Sequence, residues 1–253
     1  MRRLIVFTFT FFLIFRFAGA EPPQGRISLE DAMRICMKNL EERYHIAFDA
    51  GWAPFVQYEI PKAIPREEAL DFEACYYPAE QSFFFHPRYV GISFESGAFL
   101  KDTFPAGDTS LLARVASAIC HELGHAYADQ VSRRMDLGMW PKEEWFPDTL
   151  GKEELLVDML SEGIAEYFGR TFLRDRSEAE IMPEEWEAEL SPARYEYLSY
   201  EGGYWLMRPL IDAFGDRGIR YAVSHPIALQ DGGLKASAFR YWEAAFKDLR
   251  SSE

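Results

Sequence analysis

The stretch CHELGHAYADQ, residues 120–130, constrains this chain more than any other. On a helix, residues four apart project from one face a turn above each other, so His121 and His125 can aim imidazole nitrogens at a single ion. Glu122, one step on, reaches the adjoining volume where a water on that ion would lie. Around the motif, Leu112, Val115, Ala116, Ile119, Leu123 and Ala126 recur at three- and four-residue steps. That spacing predicts a buried helix, with Asp108 or Thr109 after the turn FPAGD as its N-cap. Gly124 lets a second backbone approach it closely.

Two imidazoles do not complete a site. Zinc in a catalytic site takes three protein ligands and keeps a fourth position open, so a third ligand has to come from a second element. The segment DMLSEGIAEYFGR, residues 158–170, supplies it. Asp158, Glu162 and Glu166 stack at i, i+4 and i+8 on one helical face, where like charges repel, and no Lys or Arg sits among them. A solvated acidic face is the ordinary explanation of such a stripe. Ala165 and Gly169 on the same face argue instead for a close helical neighbour, and the compensating cations then come from outside: a metal and the histidines that bind it. Glu162 is the predicted third ligand and Asp158 the competing choice. Glu166 is predicted to accept the outer N–H of a liganding histidine, His121, and so to fix its tautomer. The reversed assignment would put Arg170 where that acid should be.

A chain of 253 residues, 48% of them hydrophobic, can bury one sizeable core. From Ile27 to Phe48 the apolar residues Leu29, Met33, Cys36, Leu40 and Tyr44 mark an amphipathic helix, opened by a capping box of Ser28 and Asp31. Prolines at 61, 65, 78 and 87 then punctuate short runs, and SFFFH and YVGISFE predict strands of a small sheet. Residues 132–151 lose periodicity and carry Trp140, Pro141, Trp145, Phe146 and Pro147, a loop that either rims a cleft or covers the core. Helical periodicity returns over 152–172, 193–215 and 234–249. The expected fold class is α+β: an N-terminal lobe, about 21–131, of a small sheet plus the motif helix, and a helical C-terminal lobe, about 152–253, with the site between them.

The first residues read as an address. Arg2 and Arg3 precede an apolar run from Leu4 to Phe15 and the small-residue signature Ala18-Gly19-Ala20, which predicts a signal peptide over residues 1–20 and a mature chain from Glu21. The run is short of the roughly 20 residues a membrane span needs, and Arg16 interrupts its end. The expectation is export, secreted or periplasmic, without stable membrane insertion. Net charge is −14 for the whole chain, and cleavage would remove three arginines and no acid. Such a surface repels nucleic acid and anionic lipid. Three cysteines allow at most one internal disulfide; Cys120 reads as a core residue, which leaves Cys36 and Cys75 as the pair to test.

HELGH followed by SEGIAEYF resembles the gluzincin metallopeptidases related to aminopeptidase N, whose pattern is HExxH and then, on the next helix, Glu-Gly-x-Ala-x-Tyr. The resemblance spans about residues 108–215 and implies a zincin-like fold with Zn²⁺ on His121, His125 and Glu162. YEGGYWLMRPLIDAFG, residues 200–215, is similar to the family's Tyr-x-x-Gly helix, whose tyrosine stabilises the transition state; this implies that role for Tyr200, with Tyr204 in reserve. Two departures stand out. Thirty-six residues separate His125 from Glu162, about twice the aminopeptidase spacing, and no Gly-x-Met-Glu-Asn sequence to hold a free amine precedes the motif. The resemblance therefore implies peptide hydrolysis without implying an aminopeptidase. YVGISFE is the candidate edge strand that pairs with an extended substrate, as upper-rim strands do in that superfamily.

These readings converge on an exported zinc metallopeptidase acting on peptide or protein substrates, with Glu122 as general base. Two rivals stand beside it: a non-catalytic exported binding protein that keeps the zincin fold, and a zinc hydrolase of a non-peptide bond. Gly202 and Gly203 are expected to leave room for a peptide beside Tyr200. His45, His86 and His225 have no partner at helical spacing and read as structural, with His225 the one candidate among them to touch substrate.

Overall fold

A computed structural model describes residues 26–59, 74–89, 94–95, 111–141, 151–170, 186 and 190–251. The predicted signal peptide, the cap at Asp108 or Thr109, and Trp145, Phe146 and Pro147 lie outside the described residues. Helix α1 (Leu29–Tyr44) starts where expected: Ser28 Oγ accepts the Asp31 N–H at 3.1 Å and donates to Asp31 Oδ2 at 3.1 Å. It buries Leu29, Met33, Cys36 and Leu40 and stops at His45, which takes a left-handed φ of 52°.

The sheet is small. Strand β2 (Val56–Gln57) pairs in parallel with β4 (Ser82–Phe85), and β3 (Ala74–Tyr77) pairs antiparallel on the other side of β4, giving the order β2-β4-β3. The central strand is SFFF, as its aromatic run predicts, and all four residues are buried. A two-residue ladder joins β1 (Arg26–Ile27) to β5 (Phe94–Glu95). Residues 90–93 of YVGISFE lie outside the described residues; its end, Phe94–Glu95, pairs with β1, and the edge strand packed on the motif helix is β3, sequence ACYY. Its Tyr76 hydroxyl donates to buried Asp129 at 2.9 Å, and the same carboxylate accepts from Arg133 Nε at 2.9 Å and from the Trp140 N–H at 2.8 Å. Trp140 is fully buried, so this part of the aromatic loop covers the core.

The motif helix α2 (Leu111–Arg134) is the hub: β3, α1, α3 (Lys152–Gly169) and, further along the chain, α6 (Asp216–Ser224) all pack on it. Beyond α3 the chain continues through α4 (Pro192–Tyr197), a π-helical turn (Leu198–Gly202), α5 (Gly203–Phe214), α6 (Asp216–Ser224) and α7 (Gly233–Ser251). The architecture is α+β, with a small sheet on one side and helices on the other. Helix α6 escaped the periodicity reading because Gly215, at φ 55°, turns the chain sharply after Phe214. Among the described residues, no helix is long and apolar enough to cross a membrane.

Glycines set how closely these helices approach. A Cβ on Gly124 would lie 2.7 Å from Ala165 Cα, and one on Gly169 3.2 Å from His121 Cβ, so α3 runs flush against the histidine turn of α2. A Cβ on Gly203 would lie 2.6 Å from Met159 O and 2.9 Å from Gly163 N. Gly202 and Gly203 therefore serve the crossing of α3 with the π-turn and α5; they do not open a path for a peptide. The cysteines pair differently from expectation as well. Cys36 and Cys120, both fully buried as free thiols, are hydrogen-bonded to each other between α1 and α2, whereas Cys75 sits on β3.

Replacing Gly163 by Ala tests this packing, because its Cβ would run into the Gly203 backbone, which cannot rotate aside. Overpacking of this kind costs about 1–3 kcal/mol. The variant should unfold at a lower denaturant midpoint with an unchanged slope. An unshifted midpoint would show that the α3–α5 crossing is looser than the structure has it.

Candidate metal centre

Helix periodicity places His121 and His125 one turn apart on α2, and the glycine crossings bring Glu162 of α3 opposite them. His121 Nε2 and His125 Nε2 are 3.2 Å apart; Glu162 Oε2 is 3.2 Å from the first and 3.5 Å from the second. Donor atoms bound at 2.0–2.1 Å to a tetrahedral ion lie about 3.3–3.4 Å from one another, so the triangle has the dimensions of a three-ligand site. These are the described residues that form a cluster able to hold a metal ion. The carboxylate oxygen is close enough to attract the imidazoles, but neither contact is directed as a hydrogen bond. It is left buried without a partner. A buried oxygen facing two ring nitrogens is costly unless a cation or a proton stands between them.

The far side of each ring is held. His121 Nδ1 lies 3.1 Å from Glu166 Oε1, and His125 Nδ1 lies 3.3 Å from Ser161 Oγ. The Glu166 carboxylate favours a proton on His121 Nδ1, which leaves that ring's Nε2 lone pair pointing inward, and the Ser161 hydroxyl, able to donate or accept, holds the His125 ring with its Nε2 toward the same point. Glu166 thus stands where the helical spacing put it. Ser161 was not foreseen; a serine between apolar Leu160 and the candidate ligand Glu162 is the signal that could have found it. Glu166 in turn accepts from Arg170 Nε at 2.9 Å, and Arg170 donates to Glu201 Oε1 at 2.6 Å.

Without an ion, protons stand in for it. Burial works against a charged His121, yet Glu162, Glu166 and Glu122 outweigh it and raise its pKa well above the usual 6.5. Burial likewise works against a charged Glu162, but His125 and His121 hold its carboxyl well below the ordinary value.

Glu122 sits beside the triangle. Only 6% of it is exposed, it accepts the Tyr76 N–H from β3, and its Oε2 has no partner. Burial, reinforced by Glu162, raises its pKa against the opposing pull of the two histidines. Cys75, the neighbour of Tyr76 on that strand, has its thiol pushed up first by burial and then by Glu122 and Glu162, so it stays neutral. It is not among the three converging donors.

Tyr200 stacks on His121, ring centres 5.7 Å apart and planes 23° off parallel, and is 37% exposed. The negative field of Glu162, burial and the field of Glu122 raise its pKa, so the phenol keeps its proton. Tyr204, the reserve candidate, is buried at 2% exposure with its ring 4.1 Å beneath the Arg170 guanidinium. Asp158, the competing ligand, lies outside the triangle and accepts from Tyr195 Oη at 2.6 Å; burial pushes its pKa up to about 6. His225 caps α6, with Nδ1 3.1 Å from Tyr221 O and its ring stacked on Tyr221.

With the geometry in view, comparison with protein-family models, curated proteins and solved structures returns no match for this chain.

The raised pKa of His121 gives a test that needs no substrate. At pH 7 the metal-free imidazole carries its extra proton, and a ligand imidazole must be neutral, so zinc binding should release about one proton. Apparent affinity should then rise by about tenfold per pH unit below that pKa. Calorimetric titrations in two buffers of different ionisation enthalpy measure the release; none at pH 7 would place the metal elsewhere or show His121 already neutral.

Proposed function

We propose that this chain is an exported, zinc-dependent metallopeptidase of zincin-like fold that hydrolyses peptide bonds. The observation that carries the reading is the triangle of His121 Nε2, His125 Nε2 and Glu162 Oε2 with the unpartnered Glu122 carboxylate beside it. Two imidazoles and one carboxylate with an open side suit zinc. A purely structural metal site has no use for a buried base. Export rests on the N-terminal pattern Arg2, Arg3, Leu4–Phe15 and Ala18-Gly19-Ala20.

Zinc bound at such a site lowers the pKa of a water toward about 7 and polarises a carbonyl. The chain's own residues supply the rest. Glu122, fixed by the Tyr76 N–H on one oxygen, has the other free to take the attacking water's proton and to deliver it to the leaving amine. Glu166 keeps His121 in the tautomer whose Nε2 lone pair faces inward, and Ser161 holds the His125 ring in place. Tyr200 offers a protonated phenol beside the triangle, placed to donate to the oxyanion that forms on attack. Because β3 is an edge strand and its Tyr76 N–H points out of the sheet toward Glu122, an extended peptide laid along it would bring its carbonyl to the base. That geometry favours a peptide over a compact non-peptide ester.

Purified protein should cleave a denatured protein mixture, lose that activity to a chelator and regain it with zinc. Glu122→Gln should keep its metal and fold yet lose roughly 10²–10⁴ in rate, because it removes proton transfer and spares ligation. Metal content measured beside turnover checks both halves. Comparable activity in the variant would remove Glu122 from the role of base.

Tyr200→Phe should lower kcat by roughly 10²–10³, the cost of one lost oxyanion donor, with KM and zinc content little changed. Tyr204→Phe, in a ring the structure buries, should leave kcat near that of the parent. A kcat loss confined to the Tyr204 variant would transfer the role; normal turnover in both would take tyrosine out of the mechanism.

A further inference from the structure

Arg170 ends helix α3 and is mostly buried, a costly place for a cation unless its donors are used. Two of its nitrogens and its plane are engaged. Nε donates to Glu166, the acid behind His121, at 2.9 Å; the terminal nitrogen donates to Glu201 at 2.6 Å; and the plane lies 4.1 Å over the Tyr204 ring. Glu166 belongs to α3, whereas Glu201 and Tyr204 belong to the π-turn and α5. The arginine therefore bridges the helix of Glu162 to the turn that carries Tyr200.

That turn needs a fixed point. Tyr200 is the residue before Glu201, and its described contact with the site is an offset stack on His121, worth about 0.5–1.5 kcal/mol and tolerant of sliding. Leu198, Ser199 and Gly202 of the turn are buried, and Gly203 meets Gly163, but Tyr200 and Glu201 form its outward side, which this packing does not hold. Two ion-paired bonds from one planar group fix a segment far more tightly than a ring contact does.

We infer that Arg170 is a positioning residue that clamps the π-helical turn onto α3 through Glu201 and so sets the Tyr200 phenol over the metal centre. The inference rests on the proposed hydrolysis for its kinetic consequence and on geometry alone for its structural one. Arg170 touches neither Glu162 nor the reacting atoms in this arrangement; it acts through Glu201. A phenol displaced by about an ångström still stacks on an imidazole but no longer meets a developing oxyanion.

Glu201→Gln is the sharper probe, since Glu201 is partly exposed and its amide can fold in place while losing the charge that holds Arg170. It should lower kcat by about 10- to 100-fold with KM and zinc affinity, measured against a competing chelator, within about threefold of the parent. In a Tyr200→Phe background the same change should cost less than about twofold, because the group it positions is gone. Arg170→Gln should follow the same pattern in kcat. A readout free of turnover accompanies these: 3-fluorotyrosine placed at position 200 in the full chain, whose fluorine resonance should shift or broaden in Glu201→Gln and in Arg170→Gln. An equal kcat loss in both backgrounds, or an unmoved resonance in both variants, overturns the clamp. If the zinc-loaded parent cleaves no peptide while the resonance moves as expected, the proposed reaction fails and the clamp stands.

Discussion

Three carboxylates one turn apart on a single helical face cannot all be buried unless something positive or protonic meets each of them, and much of the molecule's C-terminal half is arranged around that requirement. The structure answers the three differently. Asp158 takes a hydroxyl from Tyr195 on α4. Glu162 faces the two histidines of α2, and Glu166 is shared between His121 and Arg170. These answers bring α4 onto α3 at Asp158 and α2 onto it at both glutamates. Compensation of the acids and assembly of the site are the same event.

The geometry that lets it happen is backbone proximity. Imidazoles reach only a few ångströms from their helix, so Glu162 can close the triangle only if α3 lies flush against α2, and the Gly124–Ala165 and Gly169–His121 approaches permit this. One helical turn beyond His125, buried Asp129 gathers the Tyr76 hydroxyl, Arg133 and the Trp140 amide. That carboxylate lies two helical turns beyond Glu122, which takes the Tyr76 backbone N–H. One residue of β3 is thus held by both its side chain and its backbone, so the register of the edge strand relative to Glu122 is not free to slip.

Much of the site was legible because helical spacing is rigid. His121, His125, Glu162 and Glu166 stand where the i, i+4 rule puts them, and the capping box at Ser28 fixed the start of α1. Less local features were hidden. Nothing in ACYY distinguishes it from loop by alternation, since its pairing partner is the aromatic SFFF and its anchor is fifty residues away on α2. Gly202 and Gly203 read as open space when taken alone, and become contact surface only when Gly163 is opposite. The cysteines show the same limit: which thiol meets Cys36 depends on how α1 leans on α2, and that is a matter of packing rather than spacing.

The two tyrosines show why a periodic pattern can leave a choice open that the backbone then settles. Tyr200 and Tyr204 are four apart, and on an uninterrupted α-helix they would share a face and compete for one role. Between them the chain makes a π-helical turn over Leu198–Gly202, whose longer hydrogen-bond step adds a residue to the turn and shifts the phase of everything after it. The shift separates their fates. Tyr200 remains half-exposed over His121, while Tyr204 is carried under Arg170 and into the core. π-helical turns of this kind occur mostly as single-turn bulges within α-helices. Here the distortion does definable work: it lets one helical segment present a phenol to the centre while the next, starting at Gly203, packs backbone to backbone on the helix that carries Glu162.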